Sequence, residues 1–456
     1  MTVTGDLAQF AVNATLDRIP SDVQRTVKSA FLDSVGCAIA GTTTLSSKIA
    51  SNWVRRNGGR SESTLFADTW KGPSSSVAFA NTVSANALDF EPVGPESHVC
   101  AVTIPSALAV AEALNSTGRD FLTALVLGIE VSGKIGAALK RFDRNKYRDW
   151  PVLGHTHAVF GATVAAGKLL HLDSDQMLNA FGIAGYSATL PTLKRMFRNP
   201  PAPMTKYDNL GLLSQAGVQA AYLAKDGFTG DKSVLDGEDG FWKFSGYPEC
   251  NWQALVPPKD NSWYALELWF KPYPVTSYTI TALDGVMSVI HKEKIELEDI
   301  EEISIGTRPQ FPGSLNKKIE TSLDAWLSWP FSVSALVNNV RPLKDWQSER
   351  VYTDKKILDF MDRVKIEELS RAALSTEKPM WEGWSPAKIF IKTKKGQFEG
   401  MTYYLKRLTD LELENKFTEN VQGVVGSEDC RKLLKMCKDI ENLENISKLP
   451  RQFASK

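Results

Sequence analysis

The chain has 456 residues, 43% of them hydrophobic and 23% charged, the proportions of a globular protein with room for two or three domains and a large core. Fifty-three Lys and Arg against 53 Asp and Glu leave no net charge, which excludes the basic footprint of a nucleic-acid binder or of a protein drawn to an anionic membrane. The first six residues have no basic start or apolar run, so no signal peptide is expected, and the longest apolar runs are interrupted by Gly, Lys or Asp, so no membrane span is expected. The protein is placed in the cytoplasm, where its five cysteines, lacking C-x-x-C spacing, remain reduced.

From the N-terminus the sequence reads as helix after helix. Ser21 is placed to cap a helix over 22–40, with Gln24 at the capping-box position and Gly41 just past the end. Further helices are expected over 76–86, 104–114, 120–139, 158–170, 174–188 and 210–225, the last closed by Gly227. Small residues crowd several of them, such as Gly161, Ala162, Ala165, Ala166 and Gly167 in one and Gly211, Ala216, Gly217, Ala220 and Ala221 in another. A glycine costs about 1 kcal/mol in a helix interior, so its repeated use points to helices packed backbone to backbone in a bundle.

The texture changes near residue 268. Pro257, Pro258, Pro272 and Pro274 punctuate a loop. A helix over 279–291, a strand over 300–306, a helix over 326–339 and a hairpin of 387–393 with 397–404 follow. The charged tail over 410–450 is helical again, and its apolar stripe of Leu433, Leu434, Ile440 and Leu443 is expected to pack back on the first unit. The expected fold is mainly α: a large all-helical domain over 1–267 completed by 406–456, and a smaller α+β domain over 268–405.

Of only five histidines, three fall in two short stretches. Ser97-His98-Val99 follows Leu88-Asp89-Phe90-Glu91, and Gly154-His155-Thr156-His157 stands alone. Each stretch enters a helix of small residues, whose first backbone N–H groups favour an anion. Imidazole is the side chain best suited to moving protons near neutral pH. Together these features point to proton transfer on a small carboxylate. His155 and His157 stand two apart, a spacing that diverges on a helix, and neither Cys nor an acid cluster accompanies them, so no metal is expected. Segment 128–134 has the Walker A spacing as far as Lys134, but Ile135 stands where Ser or Thr would hold magnesium, and no strand precedes it. No nucleotide cofactor is expected either, since the glycine fingerprint of a dinucleotide fold is missing. Lys206 and Lys271 stand beside rigid proline turns and apolar neighbours, unlike a loose surface lysine, whereas Lys194, Arg195 and Arg198 read as a solvated face.

These stretches resemble the MmgE/PrpD family, which includes 2-methylcitrate dehydratase, cis-aconitate decarboxylase and iminodisuccinate epimerase. Leu32-Asp33-Ser34-Val35-Gly36-Cys37-Ala38-Ile39-Ala40-Gly41 is similar to its first-helix signature. Asn86-Ala87-Leu88-Asp89-Phe90 with His98 and Ile104-Pro105-Ser106 resembles the stretch holding its active-site Asp and first His. His155 to Gly161 resembles the second His motif, with His157 where a small residue is usual. Lys206 to Gly217, and Lys271-Pro272-Tyr273-Pro274, resemble the two Lys motifs. The chain departs from the pattern at Glu91, Pro92 and Val93, at 275–280, and at Ala335, where a Tyr is common.

The resemblance implies a helical domain and an α+β lid with the substrate between them, a homodimer, and chemistry without a cofactor. It implies His98 and His155 as base and acid, in an order left open, with Asp89 orienting one imidazole. Lys206 is implied in catalysis and, with Lys271 and Tyr273, in holding substrate carboxylates. The implied reaction is a lyase step, dehydration or decarboxylation of a small di- or tricarboxylate, begun by proton abstraction next to a carboxylate. An epimerase or isomerase sharing that abstraction, and a binding homologue without catalysis, remain alternatives.

Overall fold

The computed structural model describes residues 2–140, 154–189, 201–258, 262–307, 312–369, 384–404 and 407–453. The fold is mainly α with a smaller α+β part. The first half contains helices α1 (Val3–Asn13), α2 (Ser21–Gly41), α3 (Leu45–Asn57), α4 (Ser74–Asn86), α5 (Val99–Leu114), α6 (Gly118–Lys140), α7 (Ala158–Leu169), α8 (Ser174–Ser187) and α9 (Thr205–Lys225). A two-residue antiparallel ladder, β1 (Ser63–Thr64) with β2 (Lys71–Gly72), sits between α3 and α4.

Small residues bring these helices together. A Cβ on Gly161 of α7 would lie 2.3 Å from Thr103 Oγ1 of α5, and one on Gly217 of α9 would lie 2.6 Å from both the Val159 carbonyl oxygen and the Ala162 Cβ of α7. Only glycine allows backbones this close. Helix α6 corrects one expectation. By length and composition Gly118–Leu139 is apolar enough to cross a membrane, yet it is almost wholly buried inside the fold. It is a buried core helix packed against α5 and α7, and it carries the buried Glu130. The Walker-like segment 128–134 is part of this helix.

Several helix starts differ from the expected ones: α4, α6 and the helix Ser277–Glu293 each begin two residues early, and α5 begins at Val99 rather than 104, with His98 at its cap. Ser21 is the first residue of α2 and does not cap it; Pro20 precedes the helix, and the Gln24 amide bonds back to the Leu16 and Ile19 carbonyls. Helix α9 begins at Thr205, five residues earlier than the apolar pattern indicates, which places Lys206 in its first turn.

Beyond residue 270 a second core forms. Helix α10 (Ser277–Glu293) lies across a four-stranded sheet of order β4-β3-β5-β6, made by β3 (Ile300–Thr307), β4 (Val364–Glu368), β5 (Trp384–Thr393) and β6 (Gly396–Tyr404). β3 runs parallel to β4 and antiparallel to β5, and β5 and β6 form the expected hairpin. The single helix expected over 326–339 is two, α11 (Ser322–Leu327) and α12 (Trp329–Val337). Ser328 stands extended between them and its hydroxyl accepts the Phe331 N–H, with Pro330 in the first turn of α12. Ile280 and Ala335, two positions where the family pattern is broken, are buried in this second core.

The tail returns to the first core. On α13 (Asp410–Val421) and α14 (Ser427–Lys438), Phe417, Val421, Leu433 and Cys437 are buried among residues of the first half, followed by Ile440. All five cysteines are free thiols.

Candidate active site

The segment between α4 and α5 carries most of the chemistry. Asp89 takes a left-handed backbone conformation, φ 50°, which Asp tolerates better than most residues and which lets the chain turn sharply out of α4. The segment then crosses Glu91, pairs with the second half through a Val93–Trp269 bridge, and enters α5 with His98 at the cap position.

Asp89 is buried and lies among four donors. The Lys206 ammonium is 3.2 Å from Oδ1, the Lys271 ammonium 3.1 Å from Oδ2, and the Trp326 indole N–H donates to Oδ2 at 2.6 Å. His98 Nε2 is 3.4 Å from Oδ1. Burial alone would raise this carboxyl, but Lys206, Lys271 and His98 outweigh it and hold the group at about 2. Lys206 also donates to Asn86 Oδ1 at 3.0 Å and stands 4.5 Å over the Trp326 ring. Its burial, aided by Lys271, pulls the ammonium below its ordinary range despite Asp89 and Glu91. The two shifts agree physically: one carboxylate shared by two ammonium groups gains more than either ammonium does.

Glu91 was seen in the sequence only as a departure from the family pattern. In the fold it is fully buried, and its Oε1 lies 2.5 Å from His98 Nδ1 and 2.5 Å from the Asn86 amide nitrogen. Burial opposes its ionisation, yet His98 and Lys271 keep it below the ordinary Glu range against the push of Asp89. Its second oxygen, Oε2, is buried without a hydrogen-bond partner among the described residues. His98 therefore has a carboxylate oxygen beside each ring nitrogen, an arrangement satisfied fully when both nitrogens carry protons.

His155 joins the cluster from the turn before α7. Its ring meets that of His98 edge to face, with centroids 4.9 Å apart and planes at 86°. Its Nδ1 lies 2.9 Å from Ser97 Oγ. Both imidazoles are partly exposed, whereas Asp89, Glu91, Lys206 and Lys271 are buried beneath them. The site is thus layered, with charge below and proton carriers above. His157 is placed elsewhere: it is fully buried with Nε2 against Gly136 of α6.

Two residues expected to hold substrate are turned inward. The Lys271 ammonium donates to the backbone carbonyls of Asp89 at 2.8 Å and Val275 at 3.2 Å, besides facing the Asp89 side chain. Those three contacts use all three of its donors. The Tyr273 hydroxyl donates to Asp284 at 2.8 Å, and its ring stands 6.3 Å from that of Trp346 at the edge of the second core. Sequence spacing cannot show this, because a Lys-Pro-Tyr-Pro turn fixes the backbone without fixing which way each side chain points. The basic run Lys194, Arg195 and Arg198 lies outside the described residues.

Asp89, Glu91 and His98 offer one donor atom each within 4.8 Å of one another. A divalent ion among them would share Asp89 with two ammonium groups about 3 Å away, and would compete with His98 Nδ1 for Glu91 Oε1. The set suits proton handling better than cation binding.

Sequence profiles agree with this layout. The profile of the MmgE/PrpD N-terminal domain matches residues 5–253, and that of the MmgE/PrpD C-terminal domain matches residues 273–442. The second match runs on past 417, where the chain has rejoined the first core. The chain is 27% identical over 455 residues to the cis-aconitate decarboxylase of Homo sapiens, covering 94% of this chain and 89% of that protein. It is 25% identical over 482 residues to the cis-aconitate decarboxylase of Mus musculus, covering 99% and 93%. It is 26% identical over 288 residues to the cis-aconitate decarboxylase of Aspergillus terreus, covering 59% and 56%.

Proposed function

The chain belongs to the MmgE/PrpD family, and on that premise we propose that it is a lyase releasing carbon dioxide from a small unsaturated polycarboxylate. Cis-aconitate, named in its relatives, is the first substrate to try. The observation that carries this reading is the environment of His98, with Glu91 against Nδ1 and Asp89 against Nε2. Each ring nitrogen has a carboxylate oxygen beside it, which orients the imidazole as a proton carrier over the floor of the site.

Loss of carbon dioxide across a double bond requires one proton on carbon. The alkene pair takes that proton, the electrons of the bond to the departing carboxylate become the new double bond, and carbon dioxide leaves. One proton is consumed and is replaced from water. His98 is the acid in this scheme. His155, edge-on to it and hydrogen-bonded to Ser97, is the second proton carrier and restores the first. Lys206 supplies positive charge for substrate carboxylates and for the anion that develops as charge moves. Lys271, with its donors turned inward, acts through Asp89. Every step uses groups of the chain itself. The reading also includes a homodimer in the cytoplasm, for which light scattering and cell fractionation are the tests.

The test is incubation of the purified protein with cis-aconitate and a panel of related acids in D2O. Release of carbon dioxide with one deuterium on the product supports the reading. Loss of water instead makes the protein a dehydratase, and exchange without change of composition makes it an isomerase. Inertness toward every acid that binds removes the enzyme reading altogether.

A further inference from the structure

Three consecutive carbonyl groups of the active-site segment are held by side chains from three distant parts of the chain. The Leu88 carbonyl accepts from the Gln347 amide at 2.8 Å, the Asp89 carbonyl from Lys271 at 2.8 Å, and the Phe90 carbonyl from Lys416 at 2.7 Å. Gln347 also donates to the Pro274 carbonyl at 2.9 Å, tying the segment to the loop that bears Lys271. Lys416 is a buried lysine on α13. Beyond Phe90 it meets both oxygens of Asp33 on α2, at 2.8 and 2.9 Å, and stands 3.8 Å over the Phe90 ring. Asp33 and Lys416 are each nearly inaccessible to solvent.

A buried lysine is unusual, and a buried ion pair is weak support for stability because desolvation offsets most of the attraction. Neither residue touches the cluster of imidazoles. Their common effect is on Phe90, whose peptide joins the two residues that face His98. Asp89 and Glu91 flank it, one carboxylate for each ring nitrogen. A shift of the Phe90 carbonyl would pivot both carboxylates around the imidazole.

We infer that Lys416, seated on Asp33, and Gln347 are positioning residues of the reaction: they fix the backbone of 88–90 so that Asp89 and Glu91 close on opposite nitrogens of His98. Neither residue bears on the chemistry directly. Turnover rests on the proposed decarboxylation; the geometry does not.

The experiment therefore has two readouts. The first is the proton of His98 Nδ1, which in a 2.5 Å bond to Glu91 gives a far-downfield NMR resonance. It is assigned by its disappearance in His98→Gln. The second is steady-state turnover of cis-aconitate. The main variant is Lys416→Met with Asp33→Asn, which removes both buried charges together; Lys416→Arg is the conservative control, and Gln347→Met loosens the same segment from the other side. With circular dichroism and melting preserved, the double variant and Gln347→Met are expected to move or broaden the downfield resonance. They should lower kcat by roughly 10- to 100-fold with KM changed about twofold or less, and Lys416→Arg is expected to restore both. If the double variant does not fold, Gln347→Met decides alone.

An unchanged resonance in a folded variant overturns the inference, as does a wild-type protein that shows no such resonance. If wild type leaves cis-aconitate untouched while the resonance responds as expected, the proposed reaction fails and the positioning role stands.

Discussion

Trp326 serves Lys206 and its counter-ion at once: the ring lies 4.5 Å beneath the ammonium, and the indole N–H donates at 2.6 Å to the carboxylate that the ammonium pairs with. One aromatic side chain thereby fixes the distance between the opposite charges at the floor of the site. Trp326→Phe keeps the face and removes the donor. Among the described residues Asp89 Oδ2 then retains Lys271. The expected result is a roughly tenfold fall in kcat from loss of one charge-assisted hydrogen bond, with the melting temperature lowered only slightly. Trp326→Leu, which also removes the ring, should cost more. Equal activity of the Phe variant and wild type would mean that the N–H does not steady Asp89.

Glu91→Gln separates charge from shape at His98. The amide still reaches Nδ1, but no longer favours a proton on both ring nitrogens. Turnover is expected to fall by about 100-fold, because His98 loses the carboxylate against its Nδ1. Asp89→Asn should affect kcat and substrate affinity together, since it leaves Lys206 and Lys271 facing each other without their shared anion. Steady-state kinetics distinguishes these patterns, and a Glu91→Gln variant as active as wild type would remove the Glu91 carboxylate from the proton-transfer account.

His98→Gln and His155→Gln test the division of labour. If His98 delivers the proton and His155 replenishes it, His98→Gln loses about 10²- to 10⁴-fold in kcat, while His155→Gln loses less and recovers in part with added imidazole. The reverse order of damage would exchange the two roles.

Much of this site was legible in the sequence, and the remainder was not for physical reasons. His98, His155 and Lys206 stood out because rare or ill-placed residue types lay at helix entrances and beside prolines, whereas Asp89 was singled out only by the resemblance to the family. Glu91, Asn86 and Ser97 lay in the same stretch, but nothing in their spacing showed which would face an imidazole. Trp326 contacts Asp89 across 237 positions and Lys416 contacts Phe90 across 326; no local period reports such pairs. The helices were legible from apolar periodicity, whereas the division between α11 and α12 depended on Ser328 and Pro330, inside one continuous apolar stretch.

Stability should depend on pH through Glu130. This carboxyl is buried in α6, accepts the backbone N–H groups of Tyr264 at 3.0 Å and Ala265 at 3.2 Å, and is pushed by burial from 4.5 up to about 7, against the pull of Lys134 and those two donors. A raised carboxyl binds its proton more tightly folded than unfolded. Its contribution is greatest below pH 4.5 and is lost as pH rises through about 7. Relative to wild type, Glu130→Gln should therefore gain about 3 kcal/mol between pH 4 and pH 8. Asp89 acts in the opposite sense: its stabilisation is present above 3.8 and lost as pH falls toward about 2. Chemical denaturation at several pH values measures both, and parallel profiles for Glu130→Gln and wild type would remove Glu130 from the account.

The hold of Lys416 on Phe90 has a consequence for the order of assembly. A chain emerging from the ribosome completes α2 and α4 long before α13 exists, so the bundle is able to collapse while the peptide between its two acidic residues still lacks its third tether. The pocket would mature last, when the departing end of the polypeptide swings back and locks what the beginning has already built.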